Sequence, residues 1–274
     1  MNMLDVPRRL AGAALGPWFY QPRVDARGRI APLKPVLGPI NQWLMEQGAN
    51  PPWIMTPQQC HAFWSRLSSE TASINAPSRY AAKSPALIHF LHRFWTPHVR
   101  PGDRIVELGC NSGSNLEQLR RLGYADLRGI DINPHALAYA NDAFPKLAAR
   151  GALTCASLED WLPKADSASV DVVLTVAVLI HVHPASRGIF QEMVRIARRY
   201  VCVVESEAAS CSYLFARNLQ RVFERLGCVQ VSSVFLTPES APEMDRQYDG
   251  YTARLFRVPD SRSVSHHATE HWQE

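Results

Sequence analysis

A chain of 274 residues can bury one core of roughly 200 residues with an extension, or two smaller ones. Its formal net charge of +4 does not by itself point to nucleic acid, for which strong and clustered basicity is expected. The six cysteines, Cys60, Cys110, Cys155, Cys202, Cys211 and Cys228, have neither metal-ligand nor redox spacing. Several lie in apolar runs, so reduced, buried thiols in a cytoplasmic compartment are expected.

Residues 1–37 are rich in Pro, Arg and Gly, without periodicity, and read as an irregular segment. Arg8-Arg9 before Leu10–Gly16 superficially suggests an export signal, but the apolar part is short. Pro17-Trp18-Phe19 follows in place of a small-residue cleavage site. No run is long enough to span a membrane. Residues 38–100 read as a helical extension. Ile40, Trp43 and Leu44 suggest a short helix, broken by Asn50-Pro51-Pro52. Thr56-Pro57 is a cap followed by proline at the first helical position, with Cys60, Trp64 and Leu67 as the apolar face. Residues 75–80 read as a loop, and Ser84-Pro85 starts a further helix with Leu87, Leu91, Phe94 and Trp95 inward.

From residue 101 the pattern alternates. Ile105-Val106-Glu107-Leu108 is an apolar run carrying an acid, followed by a turn with Gly109 and Gly113 and an amphipathic helix bearing Leu116, Leu119 and Leu122. Further strands are expected at 127–132, 152–156, 170–176, 200–205, 228–235 and 251–258, with helices after Pro134 and Pro184 and over 215–226. This alternation demands an α/β fold, a doubly wound, mostly parallel sheet with helices on both faces. The last two strands, with no helix between them, form an antiparallel hairpin at the edge. The expected organisation is an α/β domain over 101–258 and a polar, disordered tail over 259–274, where His266, His267 and His271 read as solvated.

The turn after the first strand is Gly-x-x-x-Gly, not the Gly-x-Gly-x-x-Gly of dinucleotide binders. Glu107 beside it would repel a pyrophosphate but suits a cationic ligand. With these residues the chain resembles the class I S-adenosylmethionine-dependent methyltransferases, whose first motif reads roughly Glu-x-Gly-x-Gly-x-Gly. Asn111 stands at the middle glycine, and Asn tolerates the left-handed conformation well. The stretch Thr175–Pro184, with His181 and His183, resembles the family's fourth motif, a strand followed by a short helix ending in His. The resemblance covers about residues 79–258 and implies a seven-stranded Rossmann-like sheet with an antiparallel last strand, and S-adenosylmethionine as cofactor. The Val178–His181 ending looks like that of bacterial sugar-pathway methylases.

Ligands of open parallel sheets bind at the carboxyl ends of the strands. The resemblance places Glu107, Gly109, Asn111 and Gly113 at the methionine end of the cofactor, with Thr175 nearby. Asp131 ends the second strand and can accept both ribose hydroxyls; Asn133 is the better cap for the next helix. Ile132 would pack on adenine, and Ser157 and Leu158 would hold its edge, with Asp160 as a further candidate. Arg79 and Tyr80, ahead of the sheet, would cover the cofactor, Arg79 clamping its carboxylate bidentately. His181 would lie nearest the acceptor as a base or polar wall, with His183 facing solvent.

The function expected is methyl transfer to oxygen or nitrogen of a small molecule, a sugar or a secondary metabolite. RNA or protein methylation is the alternative; the Asn/Asp-Pro-Pro-aromatic motif of amino methylators is absent, and the Arg-rich segments 195–199 and 217–225 read as solvated helix faces. A non-catalytic subunit is argued against by the intact pair Glu107 and Asp131, and a nicotinamide oxidoreductase by the glycine spacing. No metal, membrane or nucleic-acid partner is expected.

Overall fold

The computed structural model describes residues 43–45, 47, 49, 51–70, 75–149, 151–208 and 212–259. The irregular N-terminal segment, the polar tail with its three histidines, Cys211 and Ile40 fall outside these residues. Seven strands form one sheet: β1 (Ile105–Leu108), β2 (Leu127–Asp131), β3 (Leu153–Cys155), β4 (Val170–Val176), β5 (Ala197–Ser206), β6 (Val229–Phe235) and β7 (Tyr251–Arg257). Their order is β3-β2-β1-β4-β5-β7-β6. Strands β1 to β5 pair in parallel, and β7 runs antiparallel between β5 and β6. The hairpin therefore does not simply extend the edge, since its second strand inserts next to β5.

Side chains alternate across the pleat into two cores. Val172, Leu174 and Val176 of β4 join Cys202 and Val204 on one face, under α3 (Ala86–Trp95) and α4 (Ser114–Arg121). Val173, Val201 and Val203 face the other, under α8 (Gly188–Ile196) and α9 (Leu219–Arg225). A sheet with both faces covered needs near-continuous apolar strands, as β4 has. Helix α8 runs into β5 without a loop, because Ala197 already pairs with Val170. The strand thus starts three residues earlier than its apolar run suggests.

The extension follows its local signals in part. Helix α1 (Pro57–Trp64) begins with Thr56 in a capping box with Gln59. Residues 75–80, read as a loop, instead contain α2 (Pro77–Ala81), in which Pro77 takes the first helical position. The helix expected from Phe215 begins only at Leu219, capped by the Asn218 side chain on Arg221 N–H. Phe215 belongs to the extension's own cluster, with Met45, Ile54 and Cys60. After β2, α5 (Pro134–Ala143) is capped by Asn133, whose side chain accepts from His135 and Ala136 N–H. The short helices α6 (Pro145–Ala148) and α7 (Leu158–Trp161) flank β3.

Candidate active site

The strand order reverses between β1 and β4, and a cleft opens at the carboxyl ends of the strands there. Gly109 and Asn111 line it from the β1–α4 turn, Asp131 and Ile132 from the end of β2, and Ser157 and Leu158 from the end of β3. Ala177, Val178, His181 and His183 follow from β4, while Pro57, Cys60, Trp64 and Tyr80 roof it. Three bonds tie the roof down across the sheet edge. Met55 N–H donates to Ser212 O at 2.8 Å, the Asn133 side-chain amide to Leu67 O at 2.7 Å, and the His61 ring meets Glu159 at 3.1 Å.

The glycine turn has the left-handed bends its sequence requires: Gly109 at φ 72°, Asn111 at φ 49° and Gly113 at φ 70°. Asn111 keeps this shape by donating its backbone N–H to Asp131 at 2.7 Å while its side chain accepts from Ser112 N–H. A Cβ on Gly109 would lie 2.3 Å from Val178 Cγ2, so this turn and the segment after β4 touch directly.

Asp131 accepts from Asn111 N–H on one oxygen and from Asn133 N–H at 2.8 Å on the other. Burial raises its pKa, and these two bonds oppose the rise. Glu107 lies beneath the cleft, 1% exposed. One of its oxygens accepts from Asn115 at 2.7 Å; Oε2 is buried without a partner. Burial pushes this carboxyl up to about 8, against the pull of the Asn115 bond. Tyr80 lies close to this group: burial first, and then Tyr251, Asp131, Glu205 and Glu107, lift its hydroxyl well above the usual range. Lys83 sits behind it, Nζ 3.3 Å from the Tyr80 ring centre, and burial lowers its pKa to about 8.

His181 packs on Trp64, with ring centres 4.1 Å apart, and its Nδ1 is 3.4 Å from Tyr213 O. Burial takes its pKa down to about 4, so the ring is neutral at pH 7. Several expected residues stand elsewhere. Arg79 is exposed on α2 and does not line the cleft; α2 turns Tyr80 inward, and its one-residue offset turns Arg79 out. His183 does not face solvent. It is 4% exposed, its Nδ1 accepts from Ala185 N–H at 3.1 Å, and its ring packs on Phe215. Gly113 meets Leu147 of α6 rather than the cleft, and Thr175 is wholly buried below it. Asp160 is exposed and bonded to the Ser157 hydroxyl at 2.7 Å, leaving Ser157 itself on the lining.

The sequence reading passed over Glu205, an acid that closes β5 as Glu107 and Asp131 sit at the ends of β1 and β2. That shared position, an acid at the carboxyl end of an apolar strand, was the signal for it. It also passed over Tyr213, brought to His181 by a segment with no periodicity.

Residues 106–201 match a family model described as a methyltransferase domain. No curated protein matches the sequence. Among solved structures, a geranyl diphosphate methyltransferase in complex with GPP and sinefungin aligns with a TM-score of 0.52 at 16% identity, over 72% of this chain and 89% of that one. The geranyl diphosphate C-methyltransferase from Streptomyces coelicolor A3(2) aligns with a TM-score of 0.52 at 14% identity, over 74% of this chain and 97% of that one. A putative sarcosine dimethylglycine methyltransferase from Galdieria sulphuraria gives 0.50 at 14%, over 64% and 86%. At these identities the structures speak for the fold, and the family match speaks for residues 106–201.

The site's residues fit S-adenosylmethionine. Glu107 Oε2 is a buried acceptor without a donor, which an ammonium would satisfy, returning the carboxyl to its charged form. Asp131 retains lone pairs for hydroxyl donors beyond its two backbone bonds. The donor set, the domain matched over residues 106–201 and the β3-β2-β1-β4-β5-β7-β6 sheet agree: the chain carries a methyltransferase domain on a Rossmann-like sheet.

Proposed function

We propose that the chain methylates an oxygen or nitrogen of a small-molecule acceptor, a secondary metabolite or a sugar. The observation that carries this is the roof: α1 and Tyr80 cover the cleft with Pro57, Cys60 and Trp64, so an acceptor meets the site beneath mostly apolar side chains rather than across an open face. A polymer would need an open, basic groove, and the Arg-rich segments do not make one. Arg195 pairs with Glu192, Arg198 with Asp171 and Arg199 with Asp103, while Arg217 is spent on backbone carbonyls. Arg195, Arg199 and Arg217 thus tie the fold together, while Arg198, Arg221 and Arg225 stay exposed as expected; the arginines already spent on internal bonds argue against the RNA alternative.

The cofactor, when bound, supplies an electrophilic methyl group on a sulfonium. The chain's residues bind and orient. Glu107 holds the cationic methionine end over the turn of Gly109, Asn111 and Gly113, while Asp131 takes the ribose hydroxyls. Ile132, Ser157 and Leu158 bound the adenine. Tyr80 covers the methionine end, and Thr175 backs it from below. Arg79 has no role in this account. His181 stands nearest the acceptor. A carbonyl can only accept, so Nδ1 carries the proton toward Tyr213 O, leaving Nε2 with the lone pair that can take a proton from an acceptor hydroxyl. Alignment of nucleophile and methyl supplies much of the rate without a strong base.

The test is transfer of tritiated methyl from S-adenosylmethionine to a panel of small phenols, nucleotide sugars, amines and RNA. Label in one class of small molecule supports the proposal. Label in RNA alone, or in none of them from a sample that binds the cofactor, overturns it.

A further inference from the structure

Glu205 ends β5 fully buried, and nothing in the transfer scheme uses it. Its Oε1 accepts from Val178 N–H at 2.9 Å and Leu179 N–H at 3.0 Å, and its Oε2 from Ile180 N–H at 3.4 Å. Three successive N–H groups thus converge on one carboxyl, an anion nest filled by the chain's own side chain. The same segment is gripped from its carbonyl side. The Arg217 guanidinium donates to Leu179 O at 2.9 Å, to Val182 O at 2.5 Å and to Phe215 O at 2.9 Å. Phe215 N–H closes the frame on Ile180 O at 2.6 Å.

We propose that Glu205 and Arg217 are positioning residues, a two-sided clamp that fixes residues 178–182 so that Val178 bears on the glycine turn and His181 stays between Trp64 and Tyr213. The inference rests on the reading of the cleft as the transfer site. Ala177 enters the segment at φ 57°, a left-handed bend for a residue with a Cβ, and such a bend persists only where surrounding bonds over-determine it. The clamp supplies those bonds. Val178 is then immovable against Gly109, which is why a glycine must stand there. His181 follows directly, its N–H bonded to Val178 O at 2.8 Å. The side chains packed on its ring, Trp64 and Tyr213, are uncharged.

Glu205→Gln keeps the shape but leaves one oxygen for three N–H groups and sets an NH2 against Ile180 N–H. Arg217→Met removes the carbonyl grip. Both are followed by the His181 ring proton in NMR, identified by its loss in His181→Gln, and by calorimetry with S-adenosylmethionine. The expected result is that His181, freed to reach water, binds a proton at least tenfold more tightly than in the wild type, and that cofactor affinity falls by about tenfold. A merely structural pair would lower the melting temperature and leave His181 of the folded protein unmoved. An unmoved His181 titration in both variants overturns the clamp. If Glu205→Gln does not fold, Arg217→Met decides alone. Failure of the wild type to bind S-adenosylmethionine would instead strike the transfer reading, and the two failures are told apart by these separate readouts.

Discussion

Replacing Glu107 by Gln should make the protein's stability less sensitive to pH while removing its hold on the cofactor. The carboxyl's ordinary value is 4.5, and burial lifts it to about 8. In this window the unfolded chain has lost a proton that the folded chain still holds, so stability falls as pH rises. The penalty is absent below pH 4.5, grows at about 1.4 kcal/mol per pH unit, reaches roughly 3 kcal/mol at pH 7 and levels off near pH 8. Gln has no such proton and keeps an oxygen for Asn115. Melting curves of ligand-free protein should therefore converge or cross at low pH and separate toward pH 8, the gap widening by about 4 kcal/mol, or roughly 10 °C. Glu205, also raised by burial, to about 7, gives both proteins a common residual slope, so the difference isolates Glu107. The same chemistry appears in binding. A cationic ligand ionises Glu107, so binding of S-adenosylmethionine near pH 7 should release a proton, visible as a buffer-dependent heat. In Glu107→Gln that heat should vanish and affinity should fall at least tenfold. Parallel melting curves from pH 5 to 8, with undiminished cofactor affinity in the variant, would refute the reasoning.

Two further substitutions separate the turn from the scaffold. Gly109→Ala places a methyl 2.3 Å from Val178 Cγ2 on a backbone at φ 72°, so it should cost about 2–3 kcal/mol and abolish cofactor binding; denaturant titration and calorimetry read the two effects. Tyr124→Phe removes the acceptor of the buried Trp95 indole N–H, bonded at 2.9 Å, far from the cleft. It should cost about 1–3 kcal/mol by denaturant titration and leave cofactor affinity unchanged; a loss of affinity would contradict the assignment of this pair to the scaffold.

The fold was legible because its signals are local and repeated. Strand β4 is a valine-rich run broken only by Asp171 and Thr175, and its sequence bounds, Val170–Val176, are those of the strand. Thr56-Pro57 and Asn133-Pro134 mark helix starts through capping chemistry that needs no tertiary context. Asn111 could be read as a left-handed residue from its own side chain. What escaped depends on contacts between distant segments. Whether Arg79 or Tyr80 faces inward is a matter of one residue of helical phase, about 100°, and no periodic pattern over so short a helix fixes it. Nothing in the residues around His183 shows that it is covered; Phe215, thirty-two residues on, covers it. Arg217 reads as a surface cation until the carbonyls of 179 and 182 are placed beside it. The edge also followed tertiary logic: β7 pairs with β5 because a strand completing that sheet buries Leu255 and Phe256 on both of its faces, which an edge strand could not do.

The most direct test of the central claim is calorimetric titration of the purified protein with S-adenosylmethionine and, separately, with NAD, each repeated on Asp131→Ala. The account expects S-adenosylmethionine to bind the wild type, its affinity to collapse in the variant, and NAD to bind neither. Retained affinity in a well-folded Asp131→Ala sample would contradict the assignment of Asp131 to the ribose. A well-folded wild type that binds NAD in place of S-adenosylmethionine would contradict the account as a whole.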